Sequence, residues 1–160
     1  MKKFALTLTL SIFSLVIYAQ APKGTNKIIV INSKSASDNF LAVKQQLAEN
    51  SIAIASQDKD IFQIVTGNIP AKSGANYQYI IFCKEKSIAI TGKFTTGIEM
   101  NWGFGITAKD DEMKIVNKGM SGSIFKKAFT AMEDFAKSLG GEITYGAVIK
   151  EVKVKKDDAY

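Results

Sequence analysis

The run Ser121 to Gly141, SGSIFKKAFTAMEDFAKSLGG, limits the architecture more than any other part of this 160-residue chain. Phe125, Ala128, Phe129, Met132, Phe135, Ala136 and Leu139 recur every three or four residues. On a helical period of about 3.6 they form one broad apolar stripe. Lys126, Lys127, Thr130, Glu133, Asp134 and Lys137 fall on the other side, with Glu133 four residues ahead of Lys137 in the favourable order. Ser121 or Ser123 can accept from a free N–H at the start of the helix, and Gly140 and Gly141 can take the left-handed conformation that ends it. From Ile124 to Leu139 such a helix spans roughly 24 Å. A stripe of that length requires a sheet to cover it.

The remainder supplies one. Lys27-Ile28-Ile29-Val30-Ile31 is rich in β-branched residues and predicts a buried first strand. Ser35 or Ser37 then caps a helix whose stripe is Phe40, Val43 and Leu47, widened by Leu41 and Ala48 and ending near Asn50. Ile52 and Ile54 alternate before a polar turn from Ser56 to Asp60, and Ile61 to Thr66 predicts another strand. A turn-rich loop from Gly67 to Asn76 follows. Tyr77 to Cys83 and Ile88 to Phe94 flank Lys84-Glu85-Lys86-Ser87 as a hairpin with a four-residue turn. Tyr77, Tyr79, Ile81 and Cys83 share one face, as do Ile88, Ile90, Gly92 and Phe94. Ile98, Met100, Trp102, Phe104 and Ile106 then alternate with Glu99, Asn101, Gly103, Gly105 and Thr107. Lys109 to Glu112 predicts a turn and Met113 to Asn117 a short strand.

The N-terminus has the form of a secretion signal, with Lys2 and Lys3 ahead of an uncharged apolar run from Phe4 to Tyr18. Ala19-Gln20-Ala21 fits the small-x-small cleavage rule, with a cut after Ala19 or after Ala21. No Cys follows the run, and no membrane span is expected after cleavage. The organisation is therefore a signal peptide at 1–20, a single domain at 26–142, and a final strand or charged tail at 143–160. Export to the periplasm or beyond is the expected destination.

The residue inventory narrows the chemistry. There is no His, every basic residue is Lys, and the formal charge of +6 includes the two lysines of the leader. Without His the usual base of nucleophilic triads is missing; without Arg, planar bidentate recognition of phosphate is missing too. Lysines are spread along the chain, so nucleic acid is not an expected partner. Cys83 is the sole cysteine, which leaves no internal disulfide and no common zinc site. No cofactor, metal-ligating or catalytic residue is assigned. Ser123-Ile124-Phe125-Lys126 and Ser37-Asp38-Asn39 spell motifs of penicillin-binding enzymes, but in the wrong order and without Lys-Thr-Gly, so both serines read as helix caps. Asp58 with Asp60, and Asp110 to Glu112, lack the Gly and distal Glu of a calcium loop and read as solvated turns. Met100, Trp102 and Phe104 are the candidate binding residues, since large apolar groups on a Gly-interrupted segment suit a groove or interface. Tyr77 and Tyr79 follow the same logic.

Strand, helix, antiparallel strands and long helix together resemble the β-α-β(4)-α arrangement of the TATA-binding-protein-like fold. Ile64-Val65-Thr66-Gly67-Asn68-Ile69-Pro70, Tyr79 to Lys86 and Ile88 to Phe94 are similar to a secreted bacterial domain-of-unknown-function family with that fold. The resemblance covers Asn26 to Phe94, implies an exported location, and carries over no catalytic residue. The hairpin departs from that pattern in lacking a Gly after its charged pair.

The expectation is one α+β domain with about five to seven antiparallel strands and two helices on one face. Its expected function is a non-enzymatic exported module that binds a protein, a glycan or a small apolar ligand. Two alternatives stand beside it: a carboxylate-dependent hydrolase acting on envelope polysaccharide, and an assembly component pairing through an edge strand.

Overall fold

The computed structural model describes residues 20–71, 74–96, 100–101, 107–108 and 112–148. In chain order the elements are β1 (Thr25–Ile31), α1 (Ala36–Glu49), β2 (Ile54–Asp58), β3 (Gln63–Thr66), β4 (Ile69–Pro70), β5 (Asn76–Lys84), β6 (Ser87–Thr95), β7 (Met100–Asn101), β8 (Thr107–Ala108), β9 (Met113–Lys114), α2 (Ile124–Ser138) and β10 (Glu142–Val148). The main sheet has eight strands. Six run in the order β10-β1-β6-β5-β3-β2, while β4 pairs with β5 and β9 with β6. Every pairing is antiparallel. The long elements follow the β-α-β(4)-α order, and β10 is added outside β1.

Alternation decides which residues meet the helices, because neighbouring side chains of a strand point to opposite faces. Ile28 and Val30 of β1, Ile64 of β3, Tyr77 through Cys83 at every second position of β5, and Ile88, Ile90 and Phe94 of β6 enter one cluster. Phe40, Val43 and Leu47 of α1 and Ala128, Phe129, Met132, Phe135 and Ala136 of α2 complete it. One cluster built from one sheet face places both helices on that face. α1 lies over β5, and α2 lies over β1 and β6.

The helix ends follow the serines. Ser35 Oγ accepts from the Asp38 N–H and Ser123 Oγ from the Lys126 N–H. Asn39, fully buried, explains the Ser-Asp-Asn motif structurally. Its Nδ2 donates to the Lys84 carbonyl at 2.8 Å and its Oδ1 accepts from Asn32 Nδ2 at 2.8 Å, tying α1 to the end of β5.

Several expectations need correction. The hairpin turn has two residues, since Lys84 pairs with Ser87; Lys86 sits at φ 60°, where a Gly would be unstrained. β2 runs through Ser56 to Asp58, read above as turn, whereas Ile61 and Phe62 belong to the turn before β3. Around residue 100, Met100 pairs with Ala108 and Asn101 with Thr107, which makes β7 and β8 a separate two-stranded antiparallel sheet. The strand after Asp111 is only Met113–Lys114. The C-terminal stretch forms a strand as far as Val148.

Candidate functional site

The two helices leave a groove over the first half of β5. Its floor is set where β3 leaves the ladder. The β3–β5 register stops at Val65 opposite Ile80, and beyond it the Tyr79 N–H donates to Thr66 Oγ1 at 2.9 Å. Gln78 Nε2 donates to the Thr66 carbonyl at 2.9 Å. A side-chain hydroxyl thus replaces the missing backbone acceptor, which keeps the buried amide satisfied. β4 then rejoins β5 with Ile69 opposite Tyr77 and Pro70 opposite Asn76, so Ile69, Pro70 and Ala71 form a rim.

One wall comes from the end of α1. Asn50 donates to the Gln46 carbonyl from its backbone and from Nδ2, Ser51 turns the chain at φ 56°, and the Ile52 N–H reaches the Leu47 carbonyl at 2.8 Å. These bonds present Asn50 and Ile52 to the groove. The other wall is one face of α2. Lys127, Ala131, Asp134, Phe135 and Ser138 line it at helical spacing. The groove is open to solvent along one side and its volume is about 660 Å³, within the range of roughly 300–1,000 Å³ usual for small-molecule sites.

Tyr77 and Tyr79 form the base, only 5% and 2% exposed. The Tyr79 ring lies 5.6 Å from that of Phe135, tilted by 33°. Its partner across β6 is Gly92, where any Cβ would stand 3.2 Å from the Tyr79 ring. Burial above all, and then the neighbouring Tyr77 and Asp134, raise the pKa of the Tyr79 hydroxyl well above its ordinary value of 10. It is therefore a neutral group that can donate and accept. Among the described residues neither hydroxyl has a hydrogen-bond partner. The site is an apolar trough with two phenol tips at its base and polar groups at its edge.

Of the residues singled out from the sequence, Tyr77 and Tyr79 come to this groove. Trp102 and Phe104 lie outside the described residues; Met100 is placed only by its backbone pairing with Ala108. Sequence reasoning missed Ile52, Ile69, Ala131 and Phe135 as a set, because they sit on three separate segments that only the fold brings together. The available signal was the pair of tyrosines on a core-facing strand edge, where aliphatic residues would fill space without a polar tip.

The motif residues have structural places. Ser123 Oγ, besides its cap, donates to the Lys118 carbonyl at 3.3 Å, and Lys126 Nζ donates to Asn117 Oδ1 at 2.7 Å. Asp58 Oδ1 accepts from the Asp60 N–H at 2.9 Å within a turn. Cys83 is buried, and burial pushes its thiol up to about 12. Among the described residues no three His, Cys, Asp or Glu side chains converge as metal ligands. Among the same residues no helix is long and apolar enough to cross a membrane.

No family model matches the chain, and no curated protein matches it. Among solved structures it is similar to a TBP-like protein from Parabacteroides distasonis, with 16% identity, 71% of this chain and 92% of that chain covered, and a TM-score of 0.38.

Proposed function

We propose that the chain is an exported binding module that takes a small, mainly apolar ligand into the groove between α1 and α2. The observation that carries this reading is the groove itself, about 660 Å³ and lined by Ile52, Ile69, Ala131 and Phe135 with Tyr77 and Tyr79 at its base. Apolar walls supply affinity and two phenol tips supply orientation, the division of labour usual in such sites. The strand and hairpin patterns quoted above support placing the chain with a secreted bacterial family of this fold. The leader, with Lys2 and Lys3 before an apolar run, supports export.

The hydrolase alternative is less favoured here, because Asp134 is the single carboxylate among the groove-lining residues and a glycosidase needs two facing each other. Titration with anilinonaphthalene sulfonate tests the binding reading. Saturable fluorescence enhancement is expected for the native protein, with enhancement lost in Ala131→Trp, which fills the groove from the α2 wall without breaking the helix. Enhancement that is unchanged in a folded Ala131→Trp protein would place the binding surface elsewhere. Tyr77→Phe removes a hydroxyl with no hydrogen-bond partner among the described residues, so it should leave stability within about 0.5 kcal/mol of native.

A further inference from the structure

We infer that the precursor is cut between Ala19 and Gln20, not after Ala21, so that the mature chain begins at Gln20; the inference rests on the exported reading above. The small-x-small pattern Ala19-Gln20-Ala21 taken alone marks the cut after Ala21, since a cut after Ala19 puts Ile17 at its third position; the proline that follows Ala21 and the place of Ala21 in the folded domain favour the Ala19 cut. Ala21 belongs to the folded domain: its side chain packs against the core and its carbonyl accepts from Asn117 Nδ2 at 2.7 Å.

Asn117 is the post to which this whole entry segment is tied. It is 5% exposed. Its Nδ2 also donates to the Pro22 carbonyl at 3.0 Å. Its backbone N–H donates to the Thr25 carbonyl at 2.6 Å, and its own carbonyl accepts from the Gly24 N–H at 2.8 Å. The Thr25 hydroxyl, fully buried, closes the turn onto the Pro22 carbonyl at 2.7 Å. Lys126 Nζ occupies Asn117 Oδ1.

A cut after Ala21 would work against this arrangement in three ways. It removes the Ala21 carbonyl from a buried donor and the Ala21 side chain from the core. It places the charge and the freedom of a chain terminus on Pro22, whose carbonyl Asn117 Nδ2 and the Thr25 hydroxyl hold. It also requires the peptidase to break a bond to proline, a tertiary amide with no N–H and a ring that restricts the residue before it. A cut after Ala19 meets none of these obstacles, because Gln20 is exposed.

In the proposed step, water adds across the Ala19–Gln20 peptide bond. Ala19 leaves as a carboxylate, and Gln20 keeps the nitrogen as a free α-amine. That amine can then attack its own side-chain carboxamide carbon, closing a lactam with loss of ammonia and removing the terminal charge; no oxidant or reductant is needed.

The test is to express the full precursor in a bacterial host and sequence the N-terminal peptide of the exported protein by mass spectrometry. A peptide beginning at Gln20, open or cyclised, is expected. One beginning at Pro22 would overturn the inference while leaving export intact. Retention of Met1 to Ala19 on protein confined to the cytosol would overturn export, and this inference with it. As a second measurement, protein beginning at Gln20 should melt several degrees above protein beginning at Pro22; equal melting temperatures would remove the structural argument.

Discussion

Gly92 faces Tyr79 across the β5–β6 ladder, and the missing side chain leaves room for the tyrosine ring. A Cβ there would stand 2.7 Å from Ile115 Cδ1, 3.0 Å from the Gln78 carbonyl oxygen and 3.2 Å from the Tyr79 ring. The methyl of Ile115 can move; the backbone oxygen cannot. Gly92→Ala should therefore destabilise the protein by about 1–3 kcal/mol, the usual cost of overpacking, and should displace Tyr79 as well. Urea denaturation measures the first effect. A melting curve and midpoint identical to the native protein's would show that β6 absorbs the methyl without strain.

At the scale of elements, α2 depends on its cap. Ser123 Oγ accepts from the Lys126 N–H at 3.2 Å, and Ser123→Ala should cost about 1 kcal/mol of stability. Because the groove wall begins at Lys127, well-folded Ser123→Ala protein should bind as the native protein does, which separates the cap from any catalytic role for Ser123. The β5–β6 turn offers the reverse case. Lys86 holds φ 60°, and Lys86→Gly should raise stability by about 0.5 kcal/mol, the relief of left-handed strain outweighing the added freedom of the unfolded chain. A lower denaturation midpoint for the glycine variant would contradict that assignment.

These elements also show what was legible beforehand. Both helices were readable because each declares itself within one stretch: a capping serine, a periodic stripe, a terminating glycine or asparagine. β5 and β6 were readable from alternation. The two-residue turn was not, since Lys84 and Ser87 carry no mark of pairing and Lys86 is an unusual residue for its backbone angle. The end of β2 is hard to read because Ser56, Gln57 and Asp58 are exposed on an edge strand, where composition resembles a turn. The groove was the least legible feature. Tyr77 and Tyr79 could be noticed, yet Asn50, Ile69 and Ala131 become neighbours only after β4 rejoins β5 and α2 settles beside α1.

For the whole molecule, the shifted groups among the described residues, Cys83 and Tyr79 in the core and the partly buried Tyr145, all point the same way. The Cys83 thiol is raised from 9 to about 12 by burial. Tyr79 is raised above 10 by burial, and so is Tyr145, whose hydroxyl also donates to Glu133 Oε1 at 2.7 Å. Between the ordinary and raised values the unfolded chain releases a proton that the folded chain keeps, so stability is full below about pH 9 and falls as pH rises through about 12. The tyrosines add to the fall from about pH 10 upward. Melting temperatures across this range should decline, and Cys83→Ala should flatten the first part of the decline. A flat native profile would mean that these groups are solvated in the folded state.

The space between α1 and α2 over β5 is the proposed ligand site, and amide chemical-shift mapping with an apolar aromatic probe decides it. Shifts are expected at Ile52, Ile69, Tyr77, Tyr79, Ala131 and Phe135, all saturating together and all abolished in Ala131→Trp. Shifts gathered on the opposite sheet face, around Ile29, Ile80 and Phe82, and persisting in Ala131→Trp, would contradict it.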